Sequence, residues 1–381
     1  MQTEREHRNL RVLFLADGLS PFVLGGMQQH STQLVKHMAP LVESITLVHC
    51  GQLNGVVPFS GEVLDELGNP DNVKVIGLPF TDRGLFPGHY LRASLRVSRS
   101  FCEVIGGKLN SYDAVYTQGL MGDAFLGKHP KVMVNLHGLE VFQPSYSWRE
   151  RLGKQLMKGV FRRQIQKAWR VVSLGGQLTD ILVEQGAIRE NIVVVPNAIE
   201  SKWILSQEEI EAKAAKRSAD SIKFVMVGRN EYRKGLHILQ AAMRSLEQPI
   251  ELHMIGDWPH WDAGIHCIVH HGIIRDKQKL METLDECDVL LLPSLSEGMP
   301  TVVLEAMARG LQIIGSDVGA MSVLEDELIA PRDAKQLAFS ITQSRKTKRN
   351  RGLSQNLNWE KVGFLTKRVM EGTHIGLVKT K

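Results

Sequence analysis

The sequence predicts an α/β protein made of two doubly wound, parallel-sheet domains of similar size. Three observations carry this expectation. Short apolar runs of strand length recur along the chain, with helical segments between several of them. Such alternation implies a parallel sheet covered on both faces. The alternation pauses once, over Pro196–Asp220, and then resumes. The length of 381 residues also suits two domains of roughly 100–200 residues each.

The elements follow in order. Arg11–Asp17 is a buried-strand run, Gly18–Gly26 is a glycine-containing loop, and Met27–Met38 has helical spacing. Strand runs recur at Ile45–His49, Val73–Ile76, Ala114–Thr117, Val132–Leu136, Val171–Leu174 and Ile192–Val195. Pro196–Asp220 is polar and rich in Glu, Lys and Ala, as a linker with some helix would be. A second set runs Lys223–Val227, Ile250–Ile255, Cys267–Val269, Val289–Leu292, Gln312–Gly315 and Glu327–Ile329. Helical segments at Leu236–Leu246, Lys277–Leu284, Thr301–Arg309 and Ala334–Thr342 lie between them. Arg345–Asn356 is a basic connector. Trp359–Met370 then predicts a terminal helix with Trp359, Val362, Leu365 and Val369 on its apolar side. The expected domains are residues 1–200 with about 357–381, and residues 201–356. A cleft is expected at the carboxyl edges of their sheets, where ligands of such folds bind.

Composition narrows the class. The hydrophobic fraction of 43% and charged fraction of 23% are ordinary for a soluble globular protein. No apolar run approaches the roughly 20 residues a transmembrane helix needs. The polar start, Met1–Asn9, predicts no signal peptide. Cys50, Cys102, Cys267 and Cys287 are scattered, with no Cys-x-x-Cys spacing. They read as small core residues in a reducing compartment, which predicts a cytoplasmic location. No cluster of metal ligands stands out.

The most informative stretch is Asp288–Pro300, continuing through Glu305 to Gly310. An apolar run ends in a polar loop holding Glu297, and the loop opens into a helix at Pro300, with Glu305 about two turns along. Free helix N–H groups would face a ligand at the end of a buried strand, an arrangement suited to an anion carrying many hydroxyls. A nucleotide sugar fits. At the end of the first strand of the second domain, Arg229 and Lys234 flank a loop that opens a helix. A guanidinium fork and an ammonium point charge there suit a diphosphate.

Together these residues resemble the glutamate motif and Arg/Lys pair of the retaining, GT-B-fold glycosyltransferases of family 4, also called glycosyl transferases group 1. The likeness extends over nearly the whole chain. Gly25-Gly26 resembles the family's N-terminal glycine loop, where backbone N–H groups approach the donor phosphates. His137-Gly138-x-Glu140 resembles the segment of the catalytic-centre histidine. Pro196-Asn197-Ala198-Ile199-Glu200 resembles Pro-Asn-Gly-(Val/Ile)-Asp at the start of the interdomain linker, departing at Ala198 and Glu200. Gly256-Asp257 and His271-Gly272-Ile273-Ile274 resemble loops lining the nucleotide base. Trp359-Glu360 matches the start of a terminal helix that crosses back onto the first domain.

The resemblance implies site roles. Glu305 would bond the ribose hydroxyls, and Glu297 those of the donor sugar. Gly298, Met299, Pro300 and Thr301 would line that sugar, while Gly256 and Ile273 face the base. Arg229 and Lys234 would stabilise the diphosphate leaving group, and His137 would hold the sugar near its anomeric carbon. It implies a metal-independent hexosyl transfer with no cofactor and with a UDP-sugar as co-substrate. The first domain would bind a saccharide or lipid-linked acceptor, and the second the donor. No Asp-x-Asp is present, so the usual sign of a metal–diphosphate clamp is missing.

Two other readings are weighed beside this one. A sugar-nucleotide epimerase or hydrolase of the same fold would need no acceptor. A catalytically silent scaffold would bind polyanions through its basic stretch. Gly122–His129 matches a P-loop until His129 replaces the Ser/Thr that would hold Mg, and no Gly-x-Gly-x-x-Gly is present.

Charge is uneven. Net charge is +5, yet Arg83–Arg170 carries 15 Lys/Arg against 5 Asp/Glu. Within Trp148–Arg170, Arg149, Arg151, Lys154, Lys158, Arg162, Arg163 and Lys167 accompany Leu152, Leu156, Val160, Phe161 and Ile165 at helical spacing. Arg92, Arg96 and Arg99 form a second basic stripe. A basic amphipathic helix suits an anionic membrane surface or a phosphorylated acceptor, and equally a core-packing helix with solvated bases; no nucleic-acid partner is expected, and the first reading would put the protein peripherally on the inner face of the cytoplasmic membrane.

Overall fold

The computed structural model describes residues 9–23, 25–51, 55–80, 88–215, 222–324, 328–344 and 357–373. The polar start as far as residue 8, Arg83, the end of the linker near Asp220, Glu327 and the connector from Arg345 to Gln355 and Asn356 lie outside them. The chain divides into two compact units, residues 1–197 with 359–381, and residues 198–358.

In the first unit the elements are β1 (Arg11–Ala16), α1 (Gly26–Met38), β2 (Ser44–Cys50), α2 (Ser60–Leu67), β3 (Val73–Leu78), α3 (His89–Ile105), β4 (Ala114–Gln118), β5 (Val132–Asn135), α4 (Trp148–Lys167), β6 (Arg170–Ser173), α5 (Gln177–Glu184) and β7 (Ile192–Val194). The second unit holds α6 (Gln207–Ala215), β8 (Lys223–Val227), α7 (Leu236–Arg244), β9 (Glu251–Ile255), β10 (Cys267–Gly272), α8 (Lys277–Asp285), β11 (Val289–Leu292), α9 (Thr301–Ala308), β12 (Gln312–Gly315), α10 (Met321–Leu324) and α11 (Ala334–Ser344). The returning helix is α12 (Trp359–Met370).

The first sheet has the order β3-β2-β1-β4-β5-β6-β7, and the second β10-β9-β8-β11-β12. Each named pair is parallel. In both sheets the order reverses beside the first strand of the unit, β1 or β8, and loops at such switch points are where open α/β sheets bind ligands. The central strands β1 and β11 are apolar on both faces, so Val12–Ala16 and Val289–Leu292 are buried without alternation. That pattern follows from helices covering both sides of a parallel sheet.

Of the predicted run Glu327–Ile329, the described residues Leu328 and Ile329 form no strand. Ile329 makes only an isolated bridge to Ser316, because a chain this short has no room for a ladder. The described part of the linker, residues 196–215, is more ordered than its polarity implies. Trp203 is buried in the core of the second unit beside Val225, Leu290 and Val303. The helix α12 buries Trp359, Val362, Leu365 and Val369 and packs on α1 of the first unit. Gly363 permits the approach, since a Cβ there would lie 3.0 Å from the His37 carbonyl oxygen.

The expectation that the cysteines are core residues is corrected in part. Cys50 and Cys287 are buried, but Cys267 is exposed on edge strand β10. The P-loop look-alike is not a phosphate cradle. Its residues form a short 3₁₀ turn, Asp123–Phe125, with no α-helix to present N–H groups. His129 is buried instead, its two ring nitrogens against the carbonyls of Lys131 and Tyr112.

Candidate active site

The site of the second unit is assembled from loops at the carboxyl ends of β8, β9, β10 and β11. The loop after β8 carries Arg229 and Lys234, and Gly235 ends it in a left-handed conformation with φ +76°. A Cβ at Gly235 would stand 1.9 Å from the Pro293 carbonyl oxygen. Only glycine therefore lets this loop lie against the Pro293–Pro300 loop. The Leu295 amide donates to the Arg233 carbonyl at 2.7 Å, locking the two loops together.

That contact sets the charged groups. Lys234 Nζ lies 2.6 Å from Glu297 Oε1, and Ser294 Oγ donates to the same oxygen at 2.7 Å. Arg233 Nη1 is 3.7 Å from Glu297 Oε2. The Glu297 side chain is 6% exposed and that of Lys234 13%. A carboxylate withdrawn this far from water needs such partners. Glu231 engages both flanking arginines, with Oε1 3.0 Å from Arg229 Nη2 and Oε2 2.6 Å from Arg233 Nε. Arg229 itself stays largely exposed.

Pro300 is the N-cap residue of α9 in an extended conformation, the helix opens at Thr301, and no side chain caps its N-terminus. Gly298 accepts from the Ala320 amide at 2.9 Å. Met299 is buried. Glu305 sits in the second turn of α9, where burial pushes its carboxyl up to about 7, against the pull of Lys277. Lys277 Nζ in turn meets Glu200 Oε1 at 2.5 Å. Gly256 follows β9, and a Cβ there would lie 1.8 Å from the Gly228 carbonyl oxygen, so the chain ends of β8 and β9 touch through glycine. The Gly256 amide donates to the Gly272 carbonyl at 2.8 Å, and the neighbouring Ile273 is exposed.

Gly25, Gly26 and His137 belong to the first unit. Gly25 caps α1, but a Cβ at Gly26 would meet nothing within 4 Å, so space alone does not demand glycine there. His137 follows β5 in a left-handed conformation, φ +56°, and Leu139 repeats it at +51°. Such backbone costs energy for a side-chain-bearing residue. It is held because the His137 amide donates to Asn135 Oδ1 at 2.9 Å. His137 Nε2 lies 3.0 Å from Gln118 Oε1. Burial, then the neighbouring His30, hold the imidazole well below its usual pKa.

The basic residues lie on α3 and α4. Arg92, Arg96 and Arg99 are exposed on α3, and Arg149, Arg151, Arg162, Arg163 and Lys167 on α4. Some have partners within the fold: Arg163 with Asp123, Arg162 with Gln185, and Lys154 with Glu150 and the Pro144 carbonyl. Lys158 is half-buried. The apolar stripe of α4 divides. Phe161 and Ile165 are buried, whereas Leu152 and Leu156 are 44% and 45% exposed and Trp148 72%. Only the second half of the helix buries its apolar side chains, and Phe161 stands edge-on to Phe142.

Ser294, Glu231, Arg233 and Lys277 were not singled out from sequence. Arg233 and Glu231 sit between two residues that were, and charged side chains in a ligand loop are a usable signal. Lys277 has none, because its place beside Glu200 comes from folding. Among the described residues, no group of three His, Cys, Asp or Glu is placed to hold a metal ion.

Residues 25–198 match the model of the glycosyl transferase 4-like domain, and residues 221–345 that of glycosyl transferases group 1. A Bacillus subtilis protein named for a glycosyltransferase role in teichuronic acid biosynthesis is 30% identical over 55% of this chain. The match spans about half, 54%, of that relative's length. Sucrose-phosphate synthase from Thermosynechococcus elongatus superposes with a TM-score of 0.74 at 19% identity, covering 96% of this chain and 99% of that one. Anabaena HepE, solved with UDP-glucose, gives 0.64 at 15% identity over 96% and 100%. These likenesses set the fold as GT-B. With each half matched by its own domain model, the chain belongs to the group 1 glycosyl transferases, glycosyltransferase family 4.

Proposed function

We propose that the protein is a retaining, metal-independent hexosyltransferase. It would move a sugar from a UDP-sugar to a hydroxyl of a polysaccharide, lipopolysaccharide or glycolipid. The second unit would hold the donor and the first the acceptor. The observation that carries this reading is the buried Lys234–Glu297–Ser294 cluster beside the uncapped N-terminus of α9. It offers cationic groups and helix N–H donors to a diphosphate, with a carboxylate next to them for sugar hydroxyls. The binding of UDP-glucose by HepE and the naming of the Bacillus subtilis relative support the donor class and a biosynthetic role.

In this reading Arg229 and Lys234 stabilise negative charge as the glycosidic bond breaks. The acceptor hydroxyl attacks from the side of the departing diphosphate, so no side chain acts as nucleophile and the configuration is retained. Glu305 bonds the ribose hydroxyls, and Gly298, Met299, Pro300 and Thr301 line the sugar. Gly256 and Ile273 border the base. His137 is assigned to the donor sugar by resemblance, and Gly25 and Gly26 to its phosphates. The cationic side chains supply the positive charge that a metal would otherwise provide.

The exposed Trp148, Leu152 and Leu156 beside Arg149 and Arg151 support peripheral binding of α4 to an anionic lipid surface, where an acceptor would be lipid-linked. In the described residues no helix is long and apolar enough to cross a membrane.

The test is a thermal-shift panel of UDP-, GDP-, ADP- and CMP-sugars with their free nucleotides. Ligand binding to the folded state raises the melting temperature. The reading expects a shift with UDP and a UDP-sugar, abolished by Lys234→Ala. No shift with any nucleotide would overturn it. Release of free sugar or an epimer without acceptor would replace transfer by hydrolysis or epimerisation.

A further inference from the structure

His30 lies on α1, and its side chain is buried at 2% exposure. Its ring meets three residues from three separate parts of the first unit. Nδ1 is 3.0 Å from Asn197 Oδ1, which makes it the protonated nitrogen of the ring. The ring stands edge-on to His137 at 5.0 Å between centroids and 87° between planes. It meets Trp359 in the same way, at 5.1 Å and 81°. Asn197 is the last residue before the chain leaves this unit, and Trp359 the first on its return. The next residue of α1, Ser31, donates to Gln118 Oε1 at 2.7 Å, the oxygen that also meets His137 Nε2. Two successive residues of one helix therefore fix the His137 imidazole, one by ring contact and one through Gln118.

A buried helix residue kept only for packing would be apolar. Here the polar groups carry a cost. Among the described residues, His30 Nε2 and Gln118 Nε2 are both buried without a hydrogen-bond partner, which is unfavourable for stability. Burial lowers the His30 pKa to about 4, so the ring is neutral near pH 7 and adds no charge beside His137. What the imidazole offers beyond a phenyl ring is the Nδ1–H aimed at Asn197.

We propose that His30 is a positioning residue, which fixes the orientation of the His137 imidazole and ties to it both points at which the chain crosses the boundary of the first unit. Its consequence for catalysis rests on the assignment of His137 in the proposed transfer reaction. Its geometric content does not.

The experiment uses the full chain with two substitutions. His30→Phe keeps a ring and removes the donor, and His30→Asn keeps a donor near the Nδ1 position and removes the ring. The first readout is the ¹H–¹⁵N side-chain correlation of His137. The wild type is expected to show one Nε2–H tautomer, since Gln118 Oε1 accepts there. Each variant is expected to shift it or mix the tautomers. The second readout is turnover with a UDP-sugar, where kcat is expected to fall about tenfold or more with the donor KM within about twofold. In a His137→Ala background the same substitutions should cost little more, because the residue they position is gone. His137 resonances unmoved in both variants, or an undiminished loss in the His137→Ala background, would overturn the proposal. Failure of the wild type to bind UDP would overturn the functional reading alone, and the His137 spectrum would still decide the role of His30.

Discussion

Lys234 and Glu297 form a 2.6 Å ion pair in which both side chains are largely withdrawn from solvent. The pair bridges two loops that glycine at 235 allows to touch. Removing one partner leaves a buried charge short of its strongest ligand, which costs about 3 kcal/mol in comparable pairs. Lys234→Ala should therefore lower the melting temperature and reduce kcat/KM at least about tenfold, or about 1.4 kcal/mol. Adding Glu297→Gln should recover much of the stability and none of the turnover. Calorimetry and steady-state kinetics on the single and double variants separate the two effects, and near wild-type turnover in Lys234→Ala would contradict the assignment.

Glu231 occupies Arg229 and Arg233 at 3.0 and 2.6 Å, so in the proposed reaction a diphosphate would compete with its carboxylate. Glu231→Gln removes this carboxylate from both guanidinium groups, while Arg233 keeps the Ser296 carbonyl and Glu297. Exposed pairs are worth about 0–1 kcal/mol, which sets the gain in UDP affinity at roughly threefold. Titration calorimetry measures it, and weaker binding would show that Glu231 orients the arginines instead of competing with the ligand.

Burial holds the Glu305 carboxyl at about 7, above the 4.5 of a free side chain. The folded protein therefore keeps a proton that the unfolded chain releases near pH 4.5. The resulting stability is fully present below 4.5, declines as pH rises towards 7 and is gone above it. Bonding of ribose hydroxyls to the carboxylate has the opposite trend, so UDP affinity should rise through pH 7. Glu305→Gln should flatten both profiles, measured by denaturant melts and by calorimetry over pH 5–9. A pH-independent difference between wild type and variant would remove Glu305 from the ligand.

In the proposed reaction cationic side chains, rather than a metal, meet the diphosphate, so turnover should survive excess EDTA. Loss of activity restored by Mg²⁺ or Mn²⁺ would reverse that assignment.

Trp148, Leu152 and Leu156 are exposed on a helix that also carries Arg149 and Arg151. Co-sedimentation with vesicles containing anionic lipid should exceed that with neutral vesicles and fall with salt. Trp148→Ser with Leu152→Ser should reduce it several-fold without lowering UDP affinity. Equal binding to both vesicle types would remove the lipid role.

The order of strands and helices, the pause between the two alternations and the apolar face of α12 were all determined by the sequence itself. Apolar runs such as Val289–Leu292 have only one stable use, a strand covered on both sides, and Trp359, Val362, Leu365 and Val369 have one helical face to share. The carboxyl-end loops could be read for the same reason, since each motif follows directly on its strand. Only the tertiary structure decided which charges meet. Glu297 reaches Lys234 across 63 residues, Glu200 reaches Lys277 across 77, and His30 reaches Asn197 across 167. Local periodicity carries no information about such partners, because they are set by how loops of different strands pack. The same limit explains α4, where Leu152 and Phe161 share a helical pattern, yet only Phe161 is buried.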